Sequence, residues 1–524
     1  MRRTDEMQAD TSCRSHKEKQ WKTMKAFRIG RKAPGIWTNR TPPIRGGIFR
    51  KADDESAPLT LVDSIDSSEE SSLNGSVSNL SEASVPTSLS SVNSVDGDSD
   101  DVQKPEAESQ WKDVASDPTS RRTAKVFVGN PADFATWAEQ QDINRDTAAY
   151  PPVDIATQDS IAQKYKILAE RVQSEGYYSC RYIEYGKELA RYSLMFSASM
   201  IALSYHWYMT SALFLGFFWH QVMFTAHDAG HRAITGNFEV DSLIGIFIGD
   251  FLCGLSIGWW KRSHNVHHLI TNMPEHDPDI QNVPLFATTP SFFRGIRSTY
   301  YDFNFPWDKA AEILVPFQKY SYYPIMGIAR FNLYLLSWLH VLSEKSSDIG
   351  GSTAWWIRWA EIAGMSGYWY IFGYLLLWKT LPTWTIRVAF VLLSHFVTMP
   401  LHVQITLSHW GMSTSDLGET ESFAQRQLRT TMDVDCPKWL DWFHGGLQFQ
   451  AVHHLFPRVP RHNLRKLQGL VMEFCEETGI PYTLLTFEDG NRHVLGRLDE
   501  VGEQVKHLIN CQRYMAENGV TDLH

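Results

Sequence analysis

The longest uncharged stretch of the chain sets the strongest limit on its fold. Residues 192 to 226 contain no Lys, Arg, Asp or Glu over 35 positions. One membrane-spanning helix needs about 20 apolar residues, so this stretch predicts two slightly short helices that turn near Tyr205 to Tyr208. The runs 362–378 and 388–415 are also uncharged and predict a second hairpin. We therefore expect an all-α membrane protein with four transmembrane helices.

Clusters of histidines follow these apolar runs. HDAGH (227–231) has histidines four residues apart, and HNVHH (264–268) has them at its first, fourth and fifth places. On a helix, each spacing puts the imidazoles on one face. QAVHH (450–454) repeats the second spacing with glutamine in the first place. Five histidines in the first two clusters exceed what one tetrahedral zinc needs, so we predict one site with two metal ions.

The segments between the clusters must keep them on one side of the membrane. The apolar runs 242–249 and 251–260 are broken by Asp250, and each is too short to cross. We expect an interfacial helix here, with Trp259 and Trp260 at headgroup level. Residues 322–342 predict a second amphipathic piece. The second hairpin then returns QAVHH to the face of the first two clusters, where a cytosolic helical cap holds the metal site.

The clusters and their order resemble the histidine-box membrane desaturases, and the glutamine of QAVHH resembles the front-end subgroup. HNVHHLITNMPEHDPDIQ (264–281), HVQITLSHWGMS (402–413) and WFHGGLQFQAVHHLFPRVPRHNLR (442–465) are similar to the fungal Δ8-sphingolipid desaturases. The resemblance covers roughly residue 150 to the C-terminus and the segment 27–50. It implies a di-iron enzyme that introduces a double bond at C8 of a ceramide long-chain base. O2 would be the co-substrate, with electrons from cytochrome b5 and its NADH-dependent reductase.

The candidate site residues follow from the clusters and this resemblance. The predicted ligands of two iron ions are His227, His231, His264, His267, His268, His409, His453 and His454. Gln450 is interpreted as a weak ligand or a group that orients a metal-bound water. Candidates for hydrogen bonding to the ligands are Asp228, Asn265, His276 and His402. His395, His402 and His409 recur at seven-residue intervals and form one stripe on the fourth predicted span. Pro400 is expected to kink the helix between the first two.

Other functions remain open at this point. A front-end Δ5 or Δ6 fatty acyl desaturase shares all three clusters, whereas a histidine-box hydroxylase usually lacks the Gln-x-x-His-His form. A non-catalytic membrane receptor or metal carrier is the alternative from a different class. Zinc hydrolysis fits the ligand type, but no glutamate base in the manner of HExxH is present.

Composition divides the rest of the chain. We predict a basic segment with Pro and Gly (1–50), a disordered Ser- and acid-rich linker (51–122), an amphipathic pre-membrane region (123–190), the membrane desaturase domain (191–480) and a cytosolic tail (481–524). In the third region, Ile161, Tyr165, Leu168 and Val172 recur at helical spacing. This helix is expected either on the membrane surface or packed on the catalytic domain.

Composition also bears on cofactors and compartment. No HPGG motif is present, so we expect no haem in this chain and electrons from a separate cytochrome b5. The net charge of −10 argues against nucleic acid as a partner. The six cysteines form no CxxC pair and favour a reducing, cytosol-facing compartment. We expect the endoplasmic reticulum membrane, with both termini and the histidine clusters in the cytosol, and the bilayer and ceramide as partners.

Overall fold

The computed structural model divides the chain into two compact units, Met1–Gln103 and Lys104–His524. It describes residues 48–49, 60–61, 111–115, 123–127, 131–343, 354–418 and 421–517. In the first unit, these are the paired strands β1 (Ile48–Phe49) and β2 (Thr60–Leu61). The segment 1–50 and the linker 51–122 of the sequence prediction therefore lie almost entirely outside the described residues.

The second unit is mostly helical. Its α-helices are α1 (Pro131–Ala149), α2 (Ile155–Ser174), α3 (Tyr182–Ser204), α4 (Tyr208–Gly230), α5 (Phe238–Gly245), α6 (Ile257–Leu269), α7 (Lys309–Leu314), α8 (Gln318–Leu342), α9 (Trp356–Tyr368), α10 (Trp384–Phe396), α11 (Met399–Leu407), α12 (Phe423–Thr430), α13 (Asp441–His444), α14 (Gln450–Leu455), α15 (Arg461–Thr478) and α16 (Phe487–Glu517). The π-helices Ile246–Leu252 and Trp369–Thr380 continue α5 and α9.

Short strands in the second unit form two-stranded sheets. The antiparallel pairs are β3 (Trp111–Ala115) with β4 (Thr123–Phe127) and β5 (Ile296–Ser298) with β6 (Phe303–Phe305). The strands β7 (Asp433–Asp435) and β8 (Leu484–Thr486) pair in parallel. Strand β7 lies between the fourth predicted span and QAVHH, so it belongs to the part of the fold that positions the third cluster.

The first predicted hairpin is present as two antiparallel helices. Helix α3 ends at Ser204 and α4 begins at Tyr208, so the turn lies where the sequence predicts it. Ser199 near the end of α3 donates to the Ser211 carbonyl near the start of α4 at 2.8 Å. At the other end of the pair, the Tyr192 and Thr225 hydroxyls are 3.1 Å apart.

Length and composition give fewer membrane helices than the four that we expect. Across the described residues, two helices are long and apolar enough to cross, Lys309–Leu342 and Trp384–Leu407. A third crossing is added if Phe238–Leu252 and Ile257–Leu269, which meet at a 116° bend, form one span. These are two to three candidate spans, so the number four stays a prediction.

The long helix that includes α8 is long and apolar enough to cross a membrane, whereas the sequence analysis predicts an amphipathic piece at 322–342. Arg330 interrupts the apolar pattern there, but the fold buries its side chain completely within the protein. Its guanidinium donates to the Cys253 carbonyl at 2.8 Å and to the Tyr334 hydroxyl at 2.8 Å. Because the Cys253 carbonyl comes from another part of the fold, the sequence does not reveal that this charge is buried within the protein.

Two breaks interrupt the helices of the membrane region. The sequence analysis predicts an interfacial helix over 242–260, and the structure has helical segments there that are separated by residues 253–256, with Asp250 inside the π-helix. Helices α10 and α11 are separate around residues 397–398, which agrees with the kink predicted from Pro400.

Helices from both ends of the second unit pack against other parts of it. Helix α2 buries Ile161, Leu168 and Val172 in one cluster with Leu464 and Leu467 of α15. Of the two expected positions for this helix, the structure has the packed one. The segment expected to be a tail forms the long helix α16, which joins two further apolar clusters.

Candidate metal centre

Buried polar groups fix the helix that carries HNVHH. The hydroxyl of Ser256 accepts from the Trp259 amide and caps the start of α6. The Glu361 carboxylate accepts from the Gly258 amide at 2.7 Å and from the Ser256 hydroxyl at 2.7 Å. Asp250 accepts from the Ile257 amide at 3.2 Å. The first amides of α6 are therefore held by side chains from the π-helix and α9.

Two glycines and an aspartate position QAVHH. Gly445 and Gly446 have φ of 59° and 92°, a region that glycine adopts without a Cβ penalty. A Cβ on Gly445 would lie 2.2 Å from the Phe224 ring, so the turn also needs glycine for space. Asp433 of β7 accepts from the Ala451 amide at 2.7 Å at the start of α14. The short helix therefore begins at a defined place and presents two adjacent histidines to the site.

Seven of the eight predicted ligands come together in two adjoining groups. His227, His231, His264 and His453 form the first group, and in it the ligand-type atoms lie within 4.8 Å of one another. His267, His409 and His454 form the second group under the same limit. Each group could hold a metal ion, and each combines residues that are distant in sequence.

His268 lies between the two groups. Its ring is 4.2 Å from the ring of His454 and 4.8 Å from that of His453. Its Nε2 is 3.1 Å from the Nε2 of His264, a separation that two nitrogen ligands of one ion can have. The arrangement thus connects all three clusters around one buried space.

The ring nitrogens in this space fit a metal. Among the described residues, the buried nitrogens without a hydrogen-bond partner include Nε2 of His227, His231, His453 and His454 and Nδ1 of His268. Each such orphaned group costs about 1–3 kcal/mol. Burial, together with the neighbouring imidazoles, holds the pKa of His409, His453 and His454 well below the ordinary value. These imidazoles are therefore neutral at pH 7, the form that binds a metal.

Partners outside the clusters orient the second group. His267 Nδ1 donates to the Asp277 carboxylate at 2.8 Å, and His454 Nδ1 donates to Oε1 of Gln427 at 2.9 Å. His409 Nδ1 is 3.4 Å from the Thr430 carbonyl. In each case the bond takes up Nδ1 and leaves Nε2 as the available ligand atom.

An arginine connects the first cluster to the chain that follows the third. Arg461 donates to Asp228 of HDAGH at 2.5 Å and also to Glu188 of α3. The Tyr185 hydroxyl donates to the same Asp228 carboxylate. Asp228 also lies 3.6 Å from Nδ1 of His227. All of these charges are buried, so the ion pairs hold α3, α4 and α15 in one arrangement.

Trp260 covers one side of the first group. Its ring stacks on His264 at 4.4 Å and meets the edges of His227 and His231 at 5.2 and 5.4 Å. A Cβ on Gly230 would be 2.1 Å from this indole, which explains the glycine of HDAGH. The two groups differ in exposure. The side chain of His227 is 19% exposed, whereas His267, His409 and His454 are at most 5% exposed.

The remaining candidate residues belong to neither group. Asn265 is on the exposed side of α6, and His276 contacts the Thr299 hydroxyl at 2.8 Å. His402 is buried with Nε2 3.4 Å from the Thr398 hydroxyl. His395 is within 3.2 Å of the Tyr334 hydroxyl and stacks on Phe331. Gln450 is buried at the first position of α14.

Sequence analysis missed several residues that contact the clusters. They are Asp277, Gln427, Thr271, Trp260 and Arg461. Asp277 is the one with a usable signal, since an acidic pair closely follows HNVHH in EHDPD. Gln427 and Arg461 reach their partners only through the tertiary fold.

Comparison with known proteins agrees with this geometry. The sequence model described as fatty acid desaturase matches residues 205–486. The chain is 49% identical to the Delta 8-(E)-sphingolipid desaturase of Emericella nidulans, covering 96% of this chain and 87% of the relative. It is 41% identical to the Delta 8-(E)-sphingolipid desaturase of Candida albicans, covering 98% and 89%. A Delta(8)-fatty-acid desaturase of Helianthus annuus is 37% identical over 67% of this chain and 75% of the relative. The histidine groups and these matches together identify the chain as a member of the fatty acid desaturase family.

Proposed function

We propose that this protein introduces a double bond at C8 of the long-chain base of a sphingolipid. The observation that carries the proposal is the convergence of HDAGH, HNVHH, QAVHH and His409 on one buried space. The substrate class rests on two fungal relatives, both Delta 8-(E)-sphingolipid desaturases, at 41% and 49% identity over nearly the whole chain. Family membership supports the reaction class, an oxidoreductase that desaturates a lipid chain.

We further propose that the two groups bind two iron ions. His227, His231, His264 and His453 would hold one, His267, His409 and His454 the other, and His268 lies within reach of both. Iron bound there supplies the oxidation by O2 that removal of hydrogen from an unactivated methylene pair requires. Burial keeps His409, His453 and His454 neutral. Asp277, Gln427 and the Thr430 carbonyl orient His267, His454 and His409 in turn.

The proposed reaction needs an external electron donor. Desaturation removes two hydrogens with two electrons from the lipid, and full reduction of O2 to two waters takes four electrons. The other two electrons, with two protons, must therefore come from outside the lipid. We propose cytochrome b5 and its NADH-dependent reductase as this source, and the endoplasmic reticulum as the compartment, on the basis of the family resemblance.

The proposed topology has two hairpins and four crossings. Helices α3 and α4 would form the first, and residues 356–380 with α10 and α11 the second. The bent segment that includes α5 and α6 would enter and leave on the same side. This arrangement puts all three clusters, and the cap formed by α2, α15 and α16, on the cytosolic face.

Lipid analysis of a yeast host that lacks Δ8-unsaturated long-chain bases tests the proposal. We expect Δ8-unsaturated bases when the chain is expressed with a cytochrome b5. A His409→Ala variant, which removes one proposed ligand, should give no such product, whereas a His402→Ala variant should keep its bound iron. Unsaturation at Δ5 or Δ6 of fatty acids instead would contradict the sphingolipid assignment. Iron-loaded protein with no new lipid in the host would contradict the enzyme assignment.

A further inference from the structure

Two exposed tryptophans lie outside the predicted spans, in the chain that leads into QAVHH. Trp439 belongs to the short 3-10 helix Lys438–Leu440 and is 71% exposed, and Trp442 belongs to α13 and is 43% exposed. Single exposed apolar side chains are normal, but large rings grouped on one surface indicate that the surface binds a partner. Tryptophan suits a boundary where one side is apolar and the other is wet.

Side-chain contacts hold this segment in one place. The Asp441 carboxylate accepts from Nε of Arg465 in α15 at 2.8 Å and from Nε2 of Gln448 at 3.0 Å. The Arg465 guanidinium also donates to the Cys436 carbonyl at 2.8 Å. Because both sides of the segment are fixed to α15, the exposure of the two tryptophans is set by the fold and does not come from a loose loop.

The same segment packs against the first helix pair. The Phe443 ring stacks on the His220 ring of α4, with the centroids 5.0 Å apart. The Arg191 guanidinium of α3 lies over the Trp442 ring at 5.5 Å and donates to Gln221 of α4 at 2.9 Å. Trp442 therefore lies at the level of Arg191 along α3.

Arg191 marks the point where α3 changes from charged to uncharged. The stretch without Lys, Arg, Asp or Glu begins at the next residue and continues to residue 226. Leu194 follows three residues after Arg191, so both lie on the same side of the helix, and Leu194 is 70% exposed. In the proposed topology this change lies at the cytosolic surface of the bilayer. Tryptophan concentrates at that level in membrane proteins.

We propose that Trp439 and Trp442 insert into the headgroup region of the cytosolic leaflet and dock the catalytic part of the chain on the membrane. The inference rests on the proposed topology and is independent of the proposed reaction. The partner is lipid because Trp442 adjoins the outward face of α3 that carries Leu194. Lys438 is also exposed beside Trp439 and supplies a cation for lipid phosphates.

This contact also has a role for the metal centre. The segment continues directly into Gly445 and Gly446, which position QAVHH. Docking it on the bilayer therefore fixes the third histidine cluster relative to the membrane surface.

Photo-crosslinking to lipid tests the inference on the full chain. The iron-loaded protein is placed in phosphatidylcholine nanodiscs, with p-benzoylphenylalanine in place of Trp439 in one sample and of Trp442 in another. Leu194 is replaced in a third sample as the positive control, because it faces acyl chains in the proposed topology. Mass spectrometry of the digested chain measures lipid adducts, and iron content shows that each sample is folded.

The matched negative control is Ile167 of α2, an apolar side chain that is 64% exposed. Its neighbours Lys164 and Arg171 contact the Glu477 carbonyl at 2.5 Å and the Glu473 carboxylate at 2.8 Å. These positions lie about 18–24 Å further along α15 than Arg461, which contacts α3 and α4, at the helical rise.

We expect lipid adducts at Trp439, Trp442 and Leu194 to exceed those at Ile167 by about tenfold, because a side chain at headgroup level or deeper stays in contact with lipid. Adducts at Leu194 with none at either tryptophan position would overturn the inference and leave the topology standing. No adducts at all three would reject the topology and the inference together. Cross-links from Trp439 to a second copy of the chain in place of lipid would also overturn it.

The cross-link needs no turnover, so its result is separate from the proposed reaction. A chain that forms adducts at both tryptophan positions but makes no Δ8-unsaturated base would reject the reaction and keep the membrane contact. A chain that makes the product without these adducts would keep the reaction and reject the contact.

Discussion

Asp277 illustrates how one residue outside the histidine clusters controls a ligand. Its carboxylate is fully buried and accepts from His267 Nδ1 and from the Asn272 amide at 2.8 and 2.7 Å. The Asp279 amide also donates to this carboxylate at 2.9 Å, so removing it leaves His267 free to rotate and three donors unpaired. We expect Asp277→Ala to lower iron affinity about 10–100-fold. Iron per chain after dialysis against graded chelator concentrations measures this loss.

A matched control separates orientation of the ligand from loss of charge. Asp302 is an exposed acid that pairs with Arg297 at 2.8 Å and is 73% exposed. Asp302→Ala also removes one negative charge, but it should cost much less stability because exposed ion pairs contribute about 0–1 kcal/mol. It should retain iron as the wild type does. Equal retention of iron by Asp277→Ala would reject the orienting role.

At the scale of elements, Arg461 links α15 to α3 and α4. Arg461→Met would leave Asp228 and Glu188 buried without their cation, at a cost of about 3–5 kcal/mol. Arg461→Lys should restore little, because the two contacts use both arms of the guanidinium fork. Thermal unfolding in detergent measures the change. Arg458→Met, at an exposed position three residues earlier, should alter stability by about 0.5 kcal/mol or less; a similar loss in both variants would contradict the link.

Asp433 makes the element that carries QAVHH sensitive to pH. Burial raises its pKa to about 6, although its hydrogen bonds with Tyr482, Ala451 and Gln468 oppose the shift. The unfolded carboxyl ionises near pH ~3.9, so the folded state holds the proton more strongly. The stabilisation is complete below that pH and is lost as pH rises through about 6, on the order of 3 kcal/mol.

The variant Asp433→Asn tests this pH dependence because it keeps an oxygen for the Ala451 amide and cannot ionise. Its melting temperature should change less than that of the wild type between about pH 4 and pH 7. The comparison is made on the difference between the two proteins, so other titrating groups cancel. An identical slope in both would show that Asp433 does not titrate in this range.

Local sequence patterns predicted several helices and the histidine groups. The features that the sequence analysis missed depend on contacts between residues distant in sequence. Histidine spacing identified the residues that meet in the two groups, and the apolar period of Ile161, Leu168 and Val172 identified α2. Arg330 concealed the long helix because its partner carbonyl belongs to Cys253, 77 residues earlier. Gln427 reaches His454 from α12, and no local period marks such a contact. Periodicity describes one element, whereas these partners are set by how elements pack.

At the scale of the molecule, the meeting of the clusters restricts how the chain crosses the membrane. The rings of His231 and His264 are 5.0 Å apart, so the bent segment between them makes no net crossing. Three long helical segments separate His268 from His409, namely 309–342, 356–380 and 384–407. His268 and His409 both lie at the site, so an even number of these three segments crosses the membrane. In the proposed topology, the crossing segments are 356–380 and 384–407.

Glycosylation reporters distinguish this topology from the two other pairs of crossing segments, both of which include 309–342. Acceptor sites inserted after His206 and after Pro382 should be modified, because both turns would face the lumen. A site at Ser343, at the end of α8, should remain unmodified, and a gel shift after glycosidase treatment measures each. If 309–342 crosses in place of 356–380, the site at Ser343 is modified instead.

The unequal exposure of the two histidine groups has a consequence for exchange kinetics. The group with His227 adjoins solvent through a partly exposed ring, whereas His267, His409 and His454 are enclosed on all sides. Release of a proposed ion from the enclosed group would require local opening of the surrounding helices, so its rate would follow the opening equilibrium and not the ligand strength. A brief chelator pulse followed by isotopically labelled iron should therefore replace one ion per chain quickly and the second slowly. The enzyme would pass through a half-labelled population, which native mass spectrometry resolves by mass.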